Sequence, residues 1–352
     1  MAQEQERLRV VVSTPLDEEL CTLIERAEPR IDLIRDQSLL PPMRWPGDHG
    51  GDPAWQRTPE QQAAFDALVD SAEALYGVPD EKPAALARTV AANARLRWVQ
   101  TMPAGGGSQV AAAGLDRAAL DSIAFTTSAG VHGDNLAEFA VFGVMAGAKS
   151  LPRLLEQQRS RTWSGRWCMQ QVSEMRIGVL GLGGIGRSCA EKFIALGAEV
   201  IGINRRDVDL PGLARRVHPD ELATLVAELD ALVVTLPGTE LTLGMVSREV
   251  LAAVKPGLIL VSVGRGTVID EPAMIEALQD GRIGFAALDV FAQEPLATDS
   301  PLWGLPNVLV SPHTAALNAA EDRRIAELFA RNATLFLDGE PQINRVDTVE
   351  FY

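Results

Sequence analysis

The chain has 352 residues, 47% hydrophobic and 22% charged, which is too long for one small core and comfortable for two domains of ordinary size. That balance excludes a disordered, collagenous or fibrous chain. Its 32 basic and 47 acidic residues give a formal net charge of −15, so the surface repels phosphate backbones and anionic lipid, and neither nucleic acid nor membrane is expected as a partner.

In chain order, Met1 to Arg9 mixes glutamates and arginines before any apolar run, whereas a signal peptide needs an apolar stretch. A strand is expected over residues 8–13, an amphipathic helix over 59–76 and a strand over 96–101, together a smaller α/β domain. Residues 43–59 are rich in turn formers, with Arg44-Trp45-Pro46-Gly47-Asp48-His49-Gly50-Gly51 at their centre, and read as a surface loop. Residues 139–176 gather Lys149, Arg153, Arg159, Arg161, Arg166 and Arg176 against Glu156 and Glu174. This basic band is either a solvated helix face or subunit contact, or a field that draws an anionic substrate toward a nearby cleft.

From residue 176 onward strand and helix signals alternate, the pattern of βαβ units on a parallel sheet. Short apolar runs at 176–180, 200–203, 231–236, 258–263, 285–288 and 308–310 read as six buried strands of one doubly wound sheet. Helices are expected between them over 185–196, 219–229, 247–254 and 272–279, two opening at a proline and one at a Ser247 cap. The three cysteines, Cys21, Cys168 and Cys189, are widely spaced and form no Cys-x-x-Cys pair, which fits a reducing cytoplasm. No cluster has metal-ligand spacing, so no metal is expected. No Gly-x-Ser-x-Gly or nucleophilic Cys–His signature occurs.

Gly181-Leu182-Gly183-Gly184-Ile185-Gly186 follows the run at 176–180 and opens a helix. In that strand–turn–helix setting the glycines close a tight turn, admit a pyrophosphate to the backbone and let helix and strand pack closely, so a dinucleotide is expected on the helix N-terminus. The end of the next strand selects which dinucleotide, because an acid there holds a ribose 2′-hydroxyl and an arginine accommodates a 2′-phosphate. Asn204 stands there, 18 residues past Gly186, followed by Arg205 and Arg206. NADP(H) is therefore favoured over NAD(H). Asp207 keeps the other reading open, since a small shift of the strand end would make it the ribose partner.

Three downstream segments carry a family resemblance: Ser262-Val263-Gly264-Arg265-Gly266-Thr267-Val268-Ile269-Asp270, Ala287-Leu288-Asp289-Val290-Phe291-Ala292-Gln293-Glu294-Pro295-Leu296, and Pro306-Asn307-Val308-Leu309-Val310-Ser311-Pro312-His313. They resemble the signatures of the D-isomer-specific 2-hydroxyacid dehydrogenases, in particular glyoxylate/hydroxypyruvate reductases. The resemblance extends more weakly to Leu96-Arg97-Trp98-Val99-Gln100 with Ala104-Gly105-Gly106, and to Ala137-Glu138-Phe139. Ser262, where many members carry asparagine, and the triple Gly105-Gly106-Gly107, where many carry a bulkier residue, depart from the pattern.

Reducing a 2-keto acid requires a cation for the carboxylate, a proton donor for the carbonyl oxygen, and a partner that keeps the donor charged. Arg265, His313 and Glu294 supply residue types suited to these tasks, since arginine's fork matches a carboxylate, histidine titrates near neutral pH and a carboxylate favours an imidazolium. The resemblance assigns those roles to those positions. It also implies that Asp289 lies near the nicotinamide, although a structural turn cap is the alternative, and that backbone N–H groups around Ala104, Gly105 and Gly106 grip the substrate carboxylate. His49, His132 and His218 are read as structural.

The expectation is thus α/β, with two Rossmann-like doubly wound domains on parallel sheets and a cleft between them. Residues 1–128 form the substrate domain, 129–317 the dinucleotide domain, and 318–352 return to the first. The apolar helix 136–149 with its arginine-rich continuation resembles the arm through which family members form homodimers. The activity implied is NAD(P)H-dependent reduction of a small 2-keto acid to a D-2-hydroxy acid. The alternative is a co-repressor-like protein that binds dinucleotide on the same fold with little or no catalysis.

Overall fold

The computed structural model describes residues 7–351, so residues 1–6 of the charged opening stretch lie outside the described residues. The chain divides into a first unit, Met1–His132 with Leu317–Tyr352, and a second, Gly133–Ala316.

In the first unit, β1 (Leu8–Val12), β2 (Ile31–Ile34), β3 (Ala74–Tyr76), β4 (Trp98–Gln100) and β5 (Ala124–Thr126) form one parallel sheet in the order β2-β1-β3-β4-β5. This is the flavodoxin-like doubly wound order. Val10, Val11, Leu75, Trp98 and Val99 are fully buried, as parallel strands covered on both faces require. Phe65 of the helix Pro59–Val69 and Phe329 of the helix Glu321–Asp338 belong to the same core. Trp98 stacks on Phe329 with ring centroids 4.6 Å apart, while its Nε1 donates to Thr126 Oγ1 at 2.9 Å. The helix expected over 59–76 is too long. Thr58 and Gln61 close a capping box at its start, but it stops at Val69, Ser71 Oγ donates to Leu68 O at 2.6 Å, and the chain enters β3.

The second unit holds seven parallel strands, β6 (Arg176–Leu180), β7 (Glu199–Ile203), β8 (Arg215–Val217), β9 (Ala231–Val234), β10 (Leu258–Ser262), β11 (Ile283–Leu288) and β12 (Val308–Val310), in the order β12-β11-β10-β9-β6-β7-β8. The expected six strands were one short, because β8 is an edge strand of two exposed arginines and one half-buried valine and carries no apolar run. The helix expected over 219–229 is also corrected: a 3-10 turn at Pro219–Glu221 runs into a single α turn, Leu222–Leu225, and residues 226–230 are spent reaching β9. Ser247 caps Arg248–Ala252, and Asp270 caps Glu271–Gln279 with a proline in the first turn. Side-chain alternation splits the core between the two faces of the sheet. Val233 joins Ile177, Val179 and Phe193 on one face, and Leu232 and Val234 join Leu251 and Met274 on the other. The order reverses at β6, which lies between β7 and β9, so the end of β6 is the switch point where such sheets bind ligands. Among the described residues no helix is long and apolar enough to cross a membrane.

Candidate active site

The three signature segments leave the carboxyl ends of three neighbouring strands, β10, β11 and β12. Arg265 follows β10 in a polar turn and is exposed, with its Nη1 donating to Gly264 O at 2.8 Å. The glycine after it is sterically required. A Cβ on Gly266 would lie 1.9 Å from the carbonyl carbon of Phe291, so only glycine lets the Arg265 turn rest on the backbone that leads to Glu294.

Beyond β11 that backbone is fixed twice. Phe291 N donates to Glu294 Oε1 at 3.0 Å and Ala292 N to Glu271 Oε2 at 2.9 Å, ahead of a cis Glu294–Pro295 bond. The second carboxylate oxygen, Glu294 Oε2, lies 2.7 Å from His313 Nδ1. That pairing fixes the imidazole plane and leaves Nε2 as the ring nitrogen turned away from the carboxylate. The two side chains keep 35% and 44% of their surface exposed, so a small molecule can reach them.

His313 sits at φ 53°, a left-handed conformation that costs a residue with a Cβ about 1 kcal/mol. Asp289, at the end of β11 and almost fully buried, braces it. Its Oδ1 accepts from Ser311 Oγ at 2.5 Å, Thr314 N at 2.9 Å and Ala315 N at 3.1 Å. The turn-cap reading of Asp289 is thus the role its Oδ1 performs within the chain. Its Oδ2 and the nearby Ser262 Oγ are buried without a hydrogen-bond partner among the described residues, and such atoms ordinarily find one. They sit on adjoining strands, Asp289 N donating to Ser262 O at 3.0 Å.

At the switch point Gly181 adopts φ 95° and a Cβ on Gly186 would fall 1.8 Å from Gly181 O, so the turn and its helix, Gly184–Ala195, close on each other only through glycine. Gly183 differs: a Cβ there meets nothing within 4 Å, and the space lies at the helix N-terminus, where free amides and the helix dipole favour an anion. Ile185 is half-buried in the first turn of that helix. Asn204 has a structural part in the same loop, its Oδ1 accepting from Leu182 N at 3.1 Å and its Nδ2 donating to Arg206 O at 2.8 Å. It ties the glycine loop to the turn that exposes Arg205 and Arg206. An open cradle, an anion-favouring helix start and an orphaned acceptor at Asp289 together suit a dinucleotide.

In the first unit Ala104, Gly105 and Gly106 form the turn after β4. Gly106 N donates to Pro103 O at 3.2 Å, which places Ala104 and exposed Gly105 at the tip. Of the remaining histidines, His49 has neither ring nitrogen hydrogen-bonded among the described residues. His218 Nδ1 accepts from Asp220 N at 3.4 Å. His132 and His49 lie 3.5 and 3.8 Å from Glu321 Oε1, and burial holds the His132 imidazole below its ordinary pKa against the pull of that carboxylate. The loop at 43–59 edges a cavity of about 900 Å³ lined by Trp45, Met43, Asp17 and Arg323. Glu271 went unread in the sequence; the glutamate beside Pro272 signals a helix start, and its reach to Ala292 becomes visible only in three dimensions.

A family model described as D-isomer specific 2-hydroxyacid dehydrogenase, NAD binding domain, matches residues 141–315. Glyoxylate/hydroxypyruvate reductase B of Yersinia enterocolitica is 34% identical over 238 residues, 66% of this chain and 73% of that protein. Among solved structures, a D-isomer specific 2-hydroxyacid dehydrogenase from Xanthobacter autotrophicus Py2, in complex with NADPH and MES, superimposes with a TM-score of 0.76 at 29% identity, covering 98% of this chain and 100% of the other. A probable 2-hydroxyacid dehydrogenase from Rhizobium etli CFN 42, in complex with NADP, HEPES and L(+)-tartaric acid, gives a TM-score of 0.74 at 25% identity, covering 98% of this chain and 100% of the other.

Proposed function

The chain belongs to the D-isomer-specific 2-hydroxyacid dehydrogenase family, and from that premise we propose that it reduces a small 2-keto acid to the D-2-hydroxy acid with NADPH in preference to NADH. The observation that carries this reading is the His313–Glu294 pair, 2.7 Å apart and half open to solvent, formed beyond the ends of β12 and β11, with β11 next to the strand that delivers Arg265. A reduced nicotinamide held there would supply the hydride for C2 of the acid. His313 gives its Nε2 proton to the oxygen that becomes the hydroxyl, Glu294 holds the ring in the orientation for that transfer, and Arg265 binds the carboxylate and polarises the 2-keto oxygen. In this reading Gly181, Gly183, Gly184, Ile185 and Gly186 would hold the pyrophosphate, Asp289 Oδ2 would offer the nicotinamide a hydrogen-bond acceptor, and Ala104, Gly105 and Gly106 keep the substrate-binding role that the family resemblance implies.

NADPH and NADP in the two solved relatives and the exposed Arg205 and Arg206 after β7 support the phosphorylated cofactor. The exposed Phe142, Leu154, Leu155 and Trp163 support a homodimer through the helices Gly133–Ala148 and Leu151–Arg159. Three cysteines free of disulfides suit a cytoplasmic setting. The test is loss of reduced-nicotinamide absorbance across a panel of 2-keto acids with each cofactor. Turnover with at least one acid, faster with NADPH, is expected. Tight dinucleotide binding with no turnover on any acid would instead favour the co-repressor-like alternative.

A further inference from the structure

The turn after β7 presents Arg205 and Arg206 together with an acid, so its response to a ribose phosphate depends on what holds the acid. The Asp207 side chain is 98% exposed, and its Oδ1 lies 3.4 Å from Arg216 Nη1. The same Nη1 donates to Val208 O at 2.7 Å. Arg216 is the middle residue of β8, in register with Gly202 of β7. Strand alternation sends its neighbour Arg215 the other way, to Glu228 at 2.9 Å, and so brings Arg216 over the turn. With Asn204 Nδ2 on Arg206 O at the near end, the turn is fastened at both ends.

We propose that Arg216 is a positioning residue for cofactor choice. It pins Val208 and pairs the Asp207 carboxylate, so that the cations of the turn meet the 2′-phosphate while the acid next to them is neutralised. The inference rests on the reading that the chain prefers NADP(H), and it answers the question the sequence left open, why an aspartate so close to the strand end does not select the unphosphorylated ribose. An unpaired carboxylate there would repel a phosphate carrying about two negative charges. The effect is bounded by screening, which limits exposed charges to about 10 Å at 0.1 M salt.

The test is a titration of NADPH and NADH, followed by cofactor fluorescence, into wild type, Arg216→Gln, Asp207→Asn and the double variant. Arg216→Gln is expected to weaken NADPH about three- to fivefold and NADH less than about twofold, with the Michaelis constant for the keto acid unmoved. In the Asp207→Asn background most of that loss should vanish, because the charge Arg216 answers is gone. Arg216→Lys, which keeps a cation on the same strand position, should retain NADPH preference and guards against a folding defect in the glutamine variant. An unchanged NADPH/NADH ratio in Arg216→Gln, equal loss of both cofactors, or the same loss with and without Asp207 would overturn the proposal while leaving the cofactor reading intact. Wild type that prefers NADH would overturn both, and shows itself before any variant is made.

Discussion

Two alanine substitutions in one glycine loop should fail in opposite ways if the loop is a dinucleotide cradle. At Gly186 an added Cβ would lie 1.8 Å from Gly181 O and 2.9 Å from Thr235 Oγ1, against the roughly 3.5 Å that non-bonded atoms prefer. The first obstacle is backbone, so the helix must back away from β6 by more than an ångström. Overpacking of that kind costs about 1–3 kcal/mol, and a rigid neighbour puts this case near the upper end. For a unit of this size the melting temperature should fall by about 10 °C. Gly183 sits at φ −70° and ψ −167°, a conformation open to alanine, with nothing within 4 Å of the added carbon. Its variant should keep wild-type stability to within about 0.5 kcal/mol. The methyl would nevertheless occupy the approach to the amides at the helix start. Loss of one charge-assisted hydrogen bond, about 1.5–3 kcal/mol, corresponds to a 10- to 100-fold weaker cofactor. Thermal unfolding without cofactor and fluorescence titration with NADPH, run on the same samples, separate the two effects. A Gly183→Ala protein that binds NADPH like wild type would refute the cradle and leave an ordinary glycine turn.

Other consequences follow from the same geometry. Arg265→Lys should lower kcat/KM by about 100-fold through both constants, because an ammonium lacks the two-pronged match to a carboxylate; wild-type kinetics would make Arg265 a turn residue. Replacing Arg205 and Arg206 together by alanine should weaken NADPH about tenfold at low salt, with little change for NADH and a difference that shrinks as salt rises. Glu28 is buried and accepts from Arg30 at 2.7 and 2.8 Å and from Thr334 Oγ1 at 2.7 Å, and the arginine foremost holds its carboxyl down at about 2 from an ordinary 4.5. Because the folded-state value is depressed, the stabilisation is complete above about pH 4.5 and is lost as pH falls toward 2. Glu28→Gln should therefore cost about 2 kcal/mol at pH 7 by urea unfolding, and the gap to wild type should narrow at pH 3.

Strands buried on both faces were the legible part of the fold. Ala231–Val234 and Leu258–Ser262 announce themselves as short β-branched runs, because a central parallel strand has no polar side to show. The edge strand Arg215–Val217 gives no such signal, and β3 was hidden inside a helical reading because an alanine-rich stretch carries helical spacing past Val69 until Ser71 and its hydrogen bond break it. At the site, the family resemblance pointed to Glu294 and His313, whose residue types suit the chemistry, and the structure brings them together. The hydrogen bonds that support that pair could not be read from the sequence: Asp289, named there for the nicotinamide or a turn cap, holds Thr314 N beside His313 across 25 residues, and Glu271 holds Ala292 across 21. Such hydrogen bonds join residues with no periodic relation, so only the folded sheet, which sets β10, β11 and β12 side by side, reveals them.

Whether His313, held by Glu294, delivers the proton in 2-keto acid reduction is decided by the turnover of wild type and His313→Ala on the best acceptor acid, with NADPH affinity determined on both proteins. Turnover should fall by about 100-fold or more, the range general acid catalysis supplies, while NADPH affinity stays within about twofold, since neither ring nitrogen is assigned to the cofactor. Wild-type turnover in the His313→Ala protein would remove His313 from the chemistry.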